Sequence, residues 1–201
     1  LDFIRSSNEL RLFYNNGKDT KYAYVSFKSI TKTELQSNTI QSSLSLDKLS
    51  LWLNKINYQI SVNEDVKGKT FPFGYPHIYS SSYNGEIYVK NNGEAKAPLN
   101  IIIAGAVNNP RVDILDGDTI ISSLKIMVKS DDCIITVNSD ESDQFITITE
   151  NGVTKNAYQM QDFSCDNFLF IDKGEKKIRF SPGVNSKTTC NIQLLEGYGG
   201  N

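Results

Sequence analysis

Histidine and tryptophan each occur once in this chain of 201 residues, and cysteine three times. With His77 alone, a Ser-His-Asp or Cys-His catalytic system has no support from composition. The cysteines, Cys133, Cys165 and Cys190, are widely spaced and form no CxxC, so zinc-ribbon and thioredoxin-type readings fail. Reduced thiols packed in strands are the simple expectation, and one disulfide is the alternative. No transition-metal site and no cofactor are expected. Long apolar runs are also missing. The longest, Ile101 to Val107, contains Gly105 and is far too short to span a bilayer as a helix. Charge of one sign is missing as well. Lys and Arg total 21 against 23 Asp and Glu, so no nucleic-acid footprint is expected. Asn-x-Ser/Thr sequons are absent, and the opening LDFIRSSNELRLF has no signal-peptide core.

What the chain does have is period-two alternation. From Tyr22 to Ile30, Tyr22, Tyr24, Ser26, Lys28 and Ile30 fall on one face, and Val25 and Phe27 on the other. Leu44-Ser45-Leu46, Leu49-Ser50-Leu51 and the set Ile56, Tyr58, Ile60, Val62 repeat the pattern. Further runs cover 86–90, 99–104, 111–115, 119–128, 133–137, 145–149, 168–171, 176–180 and 189–195. β-Branched and aromatic residues dominate them, as half-buried strands require. A short helix over 49–54 is the one helical alternative. Asn16-Gly17, Asn84-Gly85, Asn92-Gly93, Asp116-Gly117, Asn151-Gly152 and Lys173-Gly174 punctuate the runs. Such pairs supply the positive φ of tight turns. The class predicted is all-β, as sandwich or barrel.

One boundary is visible. Residues 67–76 combine two prolines, two glycines and three aromatics. Proline removes ladder donors, so this segment reads as a crossover between β units. Residues 1–66 form the first unit and 77–201 the second.

Side chains with chemical potential are few. Acidic groups cluster at Asp113, Asp116 and Asp118, at Asp131 and Asp132, and at Asp140, Glu141 and Asp143. None has EF-hand spacing, and all lie in apparent turns, where Asp serves backbone hydrogen bonding. Lys173, Lys176, Lys177 and Arg179 read as a solvated sheet edge. Gly197-Tyr198-Gly199-Gly200 reads as a tail. The crossover and the segment after it are rich in aromatics. Its tyrosines, Tyr75, Tyr79, Tyr83 and Tyr88, with His77 among them, are a candidate sugar or partner surface, or core where the two units join. No acid, base or nucleophile can be named, so the chain is read as a binding or assembly protein and not an enzyme.

Three stretches carry a resemblance. The first runs from Tyr22 through Glu34 and then Leu44 to Trp52. The second runs from Phe71-Pro72-Phe73-Gly74-Tyr75-Pro76, through Asn91-Asn92-Gly93 and Pro98, to Gly105 and Asn109-Pro110. The third runs from Phe168 through Gly174 to Phe180 and closes on Glu196-Gly197-Tyr198-Gly199-Gly200. From about Tyr22 to its end the chain resembles the distal tail protein (Dit) family of long-tailed phages that infect Gram-positive bacteria. One departure is Gly174-Glu175-Lys176-Lys177, where family members often carry Gly-x-Asn. The residues also have a local reading. Gly93 should need positive φ, Pro98 can open a strand, and Asn109-Pro110 should reverse the chain.

The resemblance implies a partial N-terminal β ring domain followed by a galectin-like two-sheet β-sandwich. It implies a homo-oligomer, a hexameric ring at the virion tail tip or baseplate, assembled in the host cytoplasm. It implies the major tail tube protein, the tail-associated protein and a receptor-binding protein as partners, with no nucleic acid and no membrane insertion. The chain opens on Leu1 and not Met, which fits a ring domain lacking its first strands and equally a trimmed chain. Candidate assembly contacts are Tyr24, Phe27 and Trp52, with Lys32 and Glu34 as a charged pair on one face. The competing reading is a carbohydrate-binding, lectin-like module for host-surface recognition.

Overall fold

The computed structural model describes residues 10–17, 19–32, 42–62, 85–184 and 187–199. The crossover and the calls on Glu34, Tyr75, His77, Tyr79 and Tyr83 lie outside the described residues.

The protein is all-β, built of two antiparallel sheets. The first strands are β1 (Leu10–Asn15), β2 (Thr20–Lys32), β3 (Ser42–Lys48) and β4 (Trp52–Val62). Then come β5 (Gly85–Asn91), β6 (Ala97–Asn108), β7 (Arg111–Asp116), β8 (Thr119–Lys125) and β9 (Lys129–Asn138). The last are β10 (Phe145–Glu150), β11 (Val153–Asn156), β12 (Phe170–Ile171), β13 (Gly174–Ser181) and β14 (Thr188–Tyr198). The larger sheet runs β1-β2-β4-β14-β6-β9-β10-β11, with β3 on β2 and β12 on β6; the smaller runs β5-β13-β7-β8. Leu49–Leu51 is neither strand nor helix and simply joins β3 to β4. No helix among the described residues is long and apolar enough to cross a membrane.

Alternation explains the core. On β6, Leu99, Ile101 and Ile103 are buried, while Ile102 points outward. Cys190, Ile192 and Leu194 of β14, Ile60 and Val62 of β4, and Ile135 and Val137 of β9 share that inner face. Opposite them stand Val89, Val112, Ile114, Leu124, Ile178 and Phe180 from the smaller sheet. This is two-sheet packing, with each strand's inward positions joining one apolar layer. All three cysteines are free thiols; Cys133 and Cys190 are buried and Cys165 is half-buried in a turn.

Several turns follow the sequence signals. Gly17, Gly117 and Gly174 have φ of 85°, 61° and 109°. Asn151 and Gly152, at 51° and 75°, form the two-residue hairpin joining β10 to β11. Asn109 has φ 53° and reverses the chain between β6 and β7.

Gly93 is a correction, because its φ is not positive. Space demands the glycine instead: a Cβ there would sit 2.8 Å from the Gly197 carbonyl oxygen and 2.9 Å from Asn91 Oδ1. The basic strand is a second correction. β13 is an interior strand, between β5 and β7, and not an edge. Its cations are neutralised from neighbouring elements: Lys176 by Asp116 at 2.9 Å, Lys177 by Asp118 at 3.2 Å and Arg179 by Glu86 at 2.6 Å. The C-terminal glycine segment is a third. Gly197 and Tyr198 belong to β14, in register with Leu53 and Trp52.

Candidate assembly surface

The N-terminal strands form because Tyr, Val, Phe and Ile alternate with small polar residues, which suits a pleated surface. β2 is long enough to serve two neighbours at once. Its first half pairs with β1, from Leu10↔Val25 to Asn15↔Thr20. Its second half pairs with β3, with a register shift between Phe27 and Ser29. At Tyr22 it meets Leu53 of β4, and β4 pairs with β14 along its whole length, from Thr188↔Val62 to Tyr198↔Trp52. The first strands therefore continue the large sheet of the sandwich.

Direct register partners lie on the same face of a sheet, so the two faces can be sorted. Arg11, Phe13, Tyr22, Tyr24 and Lys55 share one face. The Arg11 guanidinium stands 5.3 Å from the Tyr24 ring centre, and Tyr22 meets Tyr24 edge-on at 5.8 Å. Burial, with Tyr24 beside it, pushes the Tyr22 phenol up to about 12. Tyr14, Lys21, Phe27, Lys48 and Trp52 share the other face. Tyr14 lies 6.0 Å from Trp52, and the Lys21 ammonium stands 3.7 Å over the Tyr198 ring.

The sequence-predicted contacts therefore divide. Tyr24 is half-buried on one face. Phe27 and Trp52 are half-buried on the other. Lys32 stands at the end of β2, in register with Ser42 of β3. Tyr88 is exposed on β5, in the smaller sheet.

Two features lie outside the residues singled out from the sequence. The first is a buried carboxylate, Glu196 on β14. It accepts from the Asn92 backbone N–H at 2.7 Å, Asn92 Nδ2 at 3.2 Å, the Tyr198 hydroxyl at 2.6 Å and Asn54 Nδ2 at 3.4 Å. Both its oxygens are satisfied, and β4, β14 and the β5–β6 loop are joined through it. Burial and the bond to Glu196 push the Tyr198 phenol well above its ordinary range. The second is the distribution of exposed apolar side chains. Leu12, Phe13, Tyr14, Ile30, Leu44, Leu49 and Leu51 all face solvent in the N-terminal strands, Phe13 at 63% and Leu49 at 67%. Beside them lies a groove of about 480 Å³, whose apolar walls are Leu49, Leu51, Leu53, Pro98, Phe170 and Leu195.

Residues 1–49 match the family model of the distal tail protein, N-terminal domain. The N-terminal segment of this chain is similar to the N-terminal domain of distal tail proteins. The match covers the first of the three stretches that carried the resemblance, as far as Leu49, and reaches back over β1. The other two stretches lie beyond it. The fold of the whole chain, however, is similar to solved phage structures. A chain of the phage P2 baseplate, in its activated conformation with Ca, is 20% identical, with a TM-score of 0.58, over 96% of this chain and 70% of that one. The SPP1 Dit protein, described as a paradigm of hub adsorption apparatus in Gram-positive infecting phages, gives 0.63 at 12% identity, over 97% and 67%. At these identities the likeness establishes the fold. No curated protein matches the sequence.

Exposed apolar side chains occur in both regions, Ile120, Ile121, Val153 and Phe163 among those beyond the family match. Leu12, Phe13, Tyr14, Ile30, Leu44 and Leu49 all fall inside the matched residues. A sequence signal for this existed in Leu10-Arg11-Leu12-Phe13-Tyr14, where apolar residues run on without alternation. A strand apolar on both faces needs cover on both faces.

Proposed function

We propose that this protein is a structural component of the phage tail tip, a hub that joins other tail proteins and carries out no catalysis. The carrying observation is the coincidence of the distal tail family match with the successive exposed apolar side chains of β1, Leu12, Phe13 and Tyr14. Exposed apolar clusters of this kind mark association sites.

The N-terminal strands make the subunit contacts of a closed ring, hexameric by family analogy. A ring needs heterologous contacts, one patch of each subunit meeting a different patch of the next. Leu12, Phe13 and Tyr14 supply the projecting patch. The groove between Leu49 and Phe170 supplies the receiving one. Residues 1–66 act as the ring unit and residues 77–201 as the projecting sandwich, with β4 connecting them through β14. The ring would sit between the tail tube protein and the tail-associated protein, with receptor-binding proteins attached at its rim.

Native mass spectrometry over a range of micromolar concentrations tests this. The expected result is a discrete closed oligomer that appears as a ring in negative stain. Phe13→Ser or Leu49→Ser should dissociate it to folded monomer. A monomer at every concentration, or an oligomer indifferent to both substitutions, overturns the reading.

A further inference from the structure

The outer face of the large sheet carries a row of amides. Gln193 of β14 is the register partner of Asn57 on β4 and of Asn100 on β6, and Asn100 is the partner of Asn138 on β9. Four neighbouring strands thus place Asn57, Gln193, Asn100 and Asn138 side by side. At ordinary strand spacing the row is roughly 14 Å long. Two contiguous depressions lie along it, of about 240 and 460 Å³, and both are lined by Asn100 and Gln193. The half-buried Tyr24 flanks one end of the row.

The row's own hydrogen bonding is incomplete. Gln193 Nε2 donates to Asn57 Oδ1 at 2.9 Å. Asn138 Nδ2 donates to the Asp143 carbonyl at 2.7 Å, and its Oδ1 accepts from the Asp140 backbone N–H at 3.3 Å. Asn100 Oδ1 is buried and accepts no hydrogen bond from the described residues. An unpaired buried acceptor costs free energy, and turning the Asn100 amide so that its oxygen meets a ligand hydroxyl would recover that cost.

The charges around the row select the ligand class. The row itself is neutral. Arg11 and Lys55 flank it, but both stand over the Tyr22 ring, at 5.8 Å each. Asp140 and Asp143 line the same depression. A polyanion would meet those carboxylates, and an apolar partner would have to strip water from four amides. A peptide adding to a sheet does so at an edge, whereas this is a face. Neutral hydroxyl-rich chains suit it, because the row offers both a donor and an acceptor: Asn57 Nδ2 and Gln193 Oε1 are left over from the Asn57–Gln193 bond. The geometry points to a saccharide-binding face on the outside of the large sheet, for a neutral oligosaccharide lying across β4, β14, β6 and β9. This face adjoins the proposed ring groove, with which one of its depressions shares Tyr24, Pro98 and Leu195. It is distinct from the aromatic surface read from the sequence, whose one described member, Tyr88, stands on the smaller sheet.

The test is a titration of the isotope-labelled chain with maltohexaose, laminarihexaose, chitohexaose and a rhamnose hexasaccharide at millimolar concentrations, read by NMR. The expected result is that at least one shifts the side-chain amide signals of Gln193, Asn100 and Asn138. Gln193→Ala should then weaken that binding roughly tenfold, the loss of one hydrogen-bonding side chain. Gln193 and Asn57 bond each other at the surface, so the variant keeps its fold, and its backbone spectrum confirms that. Tyr88→Ala should leave binding within about twofold. Silence from all four saccharides overturns the inference. So does binding lost with Tyr88 and kept without Gln193, or a response only to poly(glycerol phosphate) or to an extended peptide.

Discussion

On β6, Leu99, Ile101 and Ile103 are sealed while Ile102 faces outward; on β1, Leu12, Phe13 and Tyr14 are exposed one after another. Both segments are antiparallel strands rich in large apolar residues. They differ in what covers them. β6 lies between β14 and β9, and its inner face meets the smaller sheet. β1 has β2 as its only described neighbour, at the end of the large sheet. The sandwich encloses a continuous apolar layer between its two sheets, so it should tolerate isolation. The N-terminal strands leave Leu12, Phe13 and Tyr14 exposed in succession, as the proposed subunit contact requires.

Substitutions can break that contrast from either side. The largest loss of stability is expected in the sandwich. Phe180 is fully buried on β13, and Phe180→Ala should cost about 3–5 kcal/mol in urea denaturation. Next comes the seam where the two regions meet. Glu196→Ala strands the Asn92 N–H and the Tyr198 hydroxyl, and should cost about 2–3 kcal/mol. Glu196→Gln, which keeps one acceptor oxygen, should cost less; equal losses would show that hydrogen bonding to Glu196 is not what holds the seam. Phe13→Ser should change monomer stability by only about 0.5 kcal/mol or less while abolishing the oligomer. If the monomer is strongly destabilised instead, β1 belongs to the core and the contrast fails.

The last effect is confined to alkaline pH. The Tyr22 phenol is held near 12 in the folded chain against 10.0 unfolded. Its contribution to stability is therefore fully present below pH 10 and is lost as pH rises towards 12. Denaturation at successive pH values should show this decline, made shallower by Tyr22→Phe. Cys190, buried and also pushed up to about 12, keeps some slope in the variant.

Much of the strand pattern was legible, since side-chain alternation is local. Ile56, Tyr58, Ile60 and Val62 announce one inward face of β4 without reference to anything else. Turn chemistry was legible for the same reason at Asn151-Gly152 and Asn109. It failed at Gly93, where the requirement is the approach of another strand's backbone. The basic run on β13 was placed at an edge because lysines are usually solvated. It lies inside the sheet because acidic partners arrive from β5, from the end of β7 and from the β7–β8 turn. Phe27 and Trp52 were grouped with Tyr24 because all three are aromatic. Register puts them on opposite faces.

The amino-acid sequence by itself determined that this chain is all-β, where many of its strands run and turn, and that it resembles the distal tail proteins. Those properties depend on neighbours within a few residues or on short motifs. The tertiary structure alone decided that β4 pairs with β14, that Glu196 is enclosed by donors from three segments, and that four amides from four strands form one row. Each depends on register between segments far apart in the chain. That register is set by the summed burial of both sheets, which no local pattern encodes.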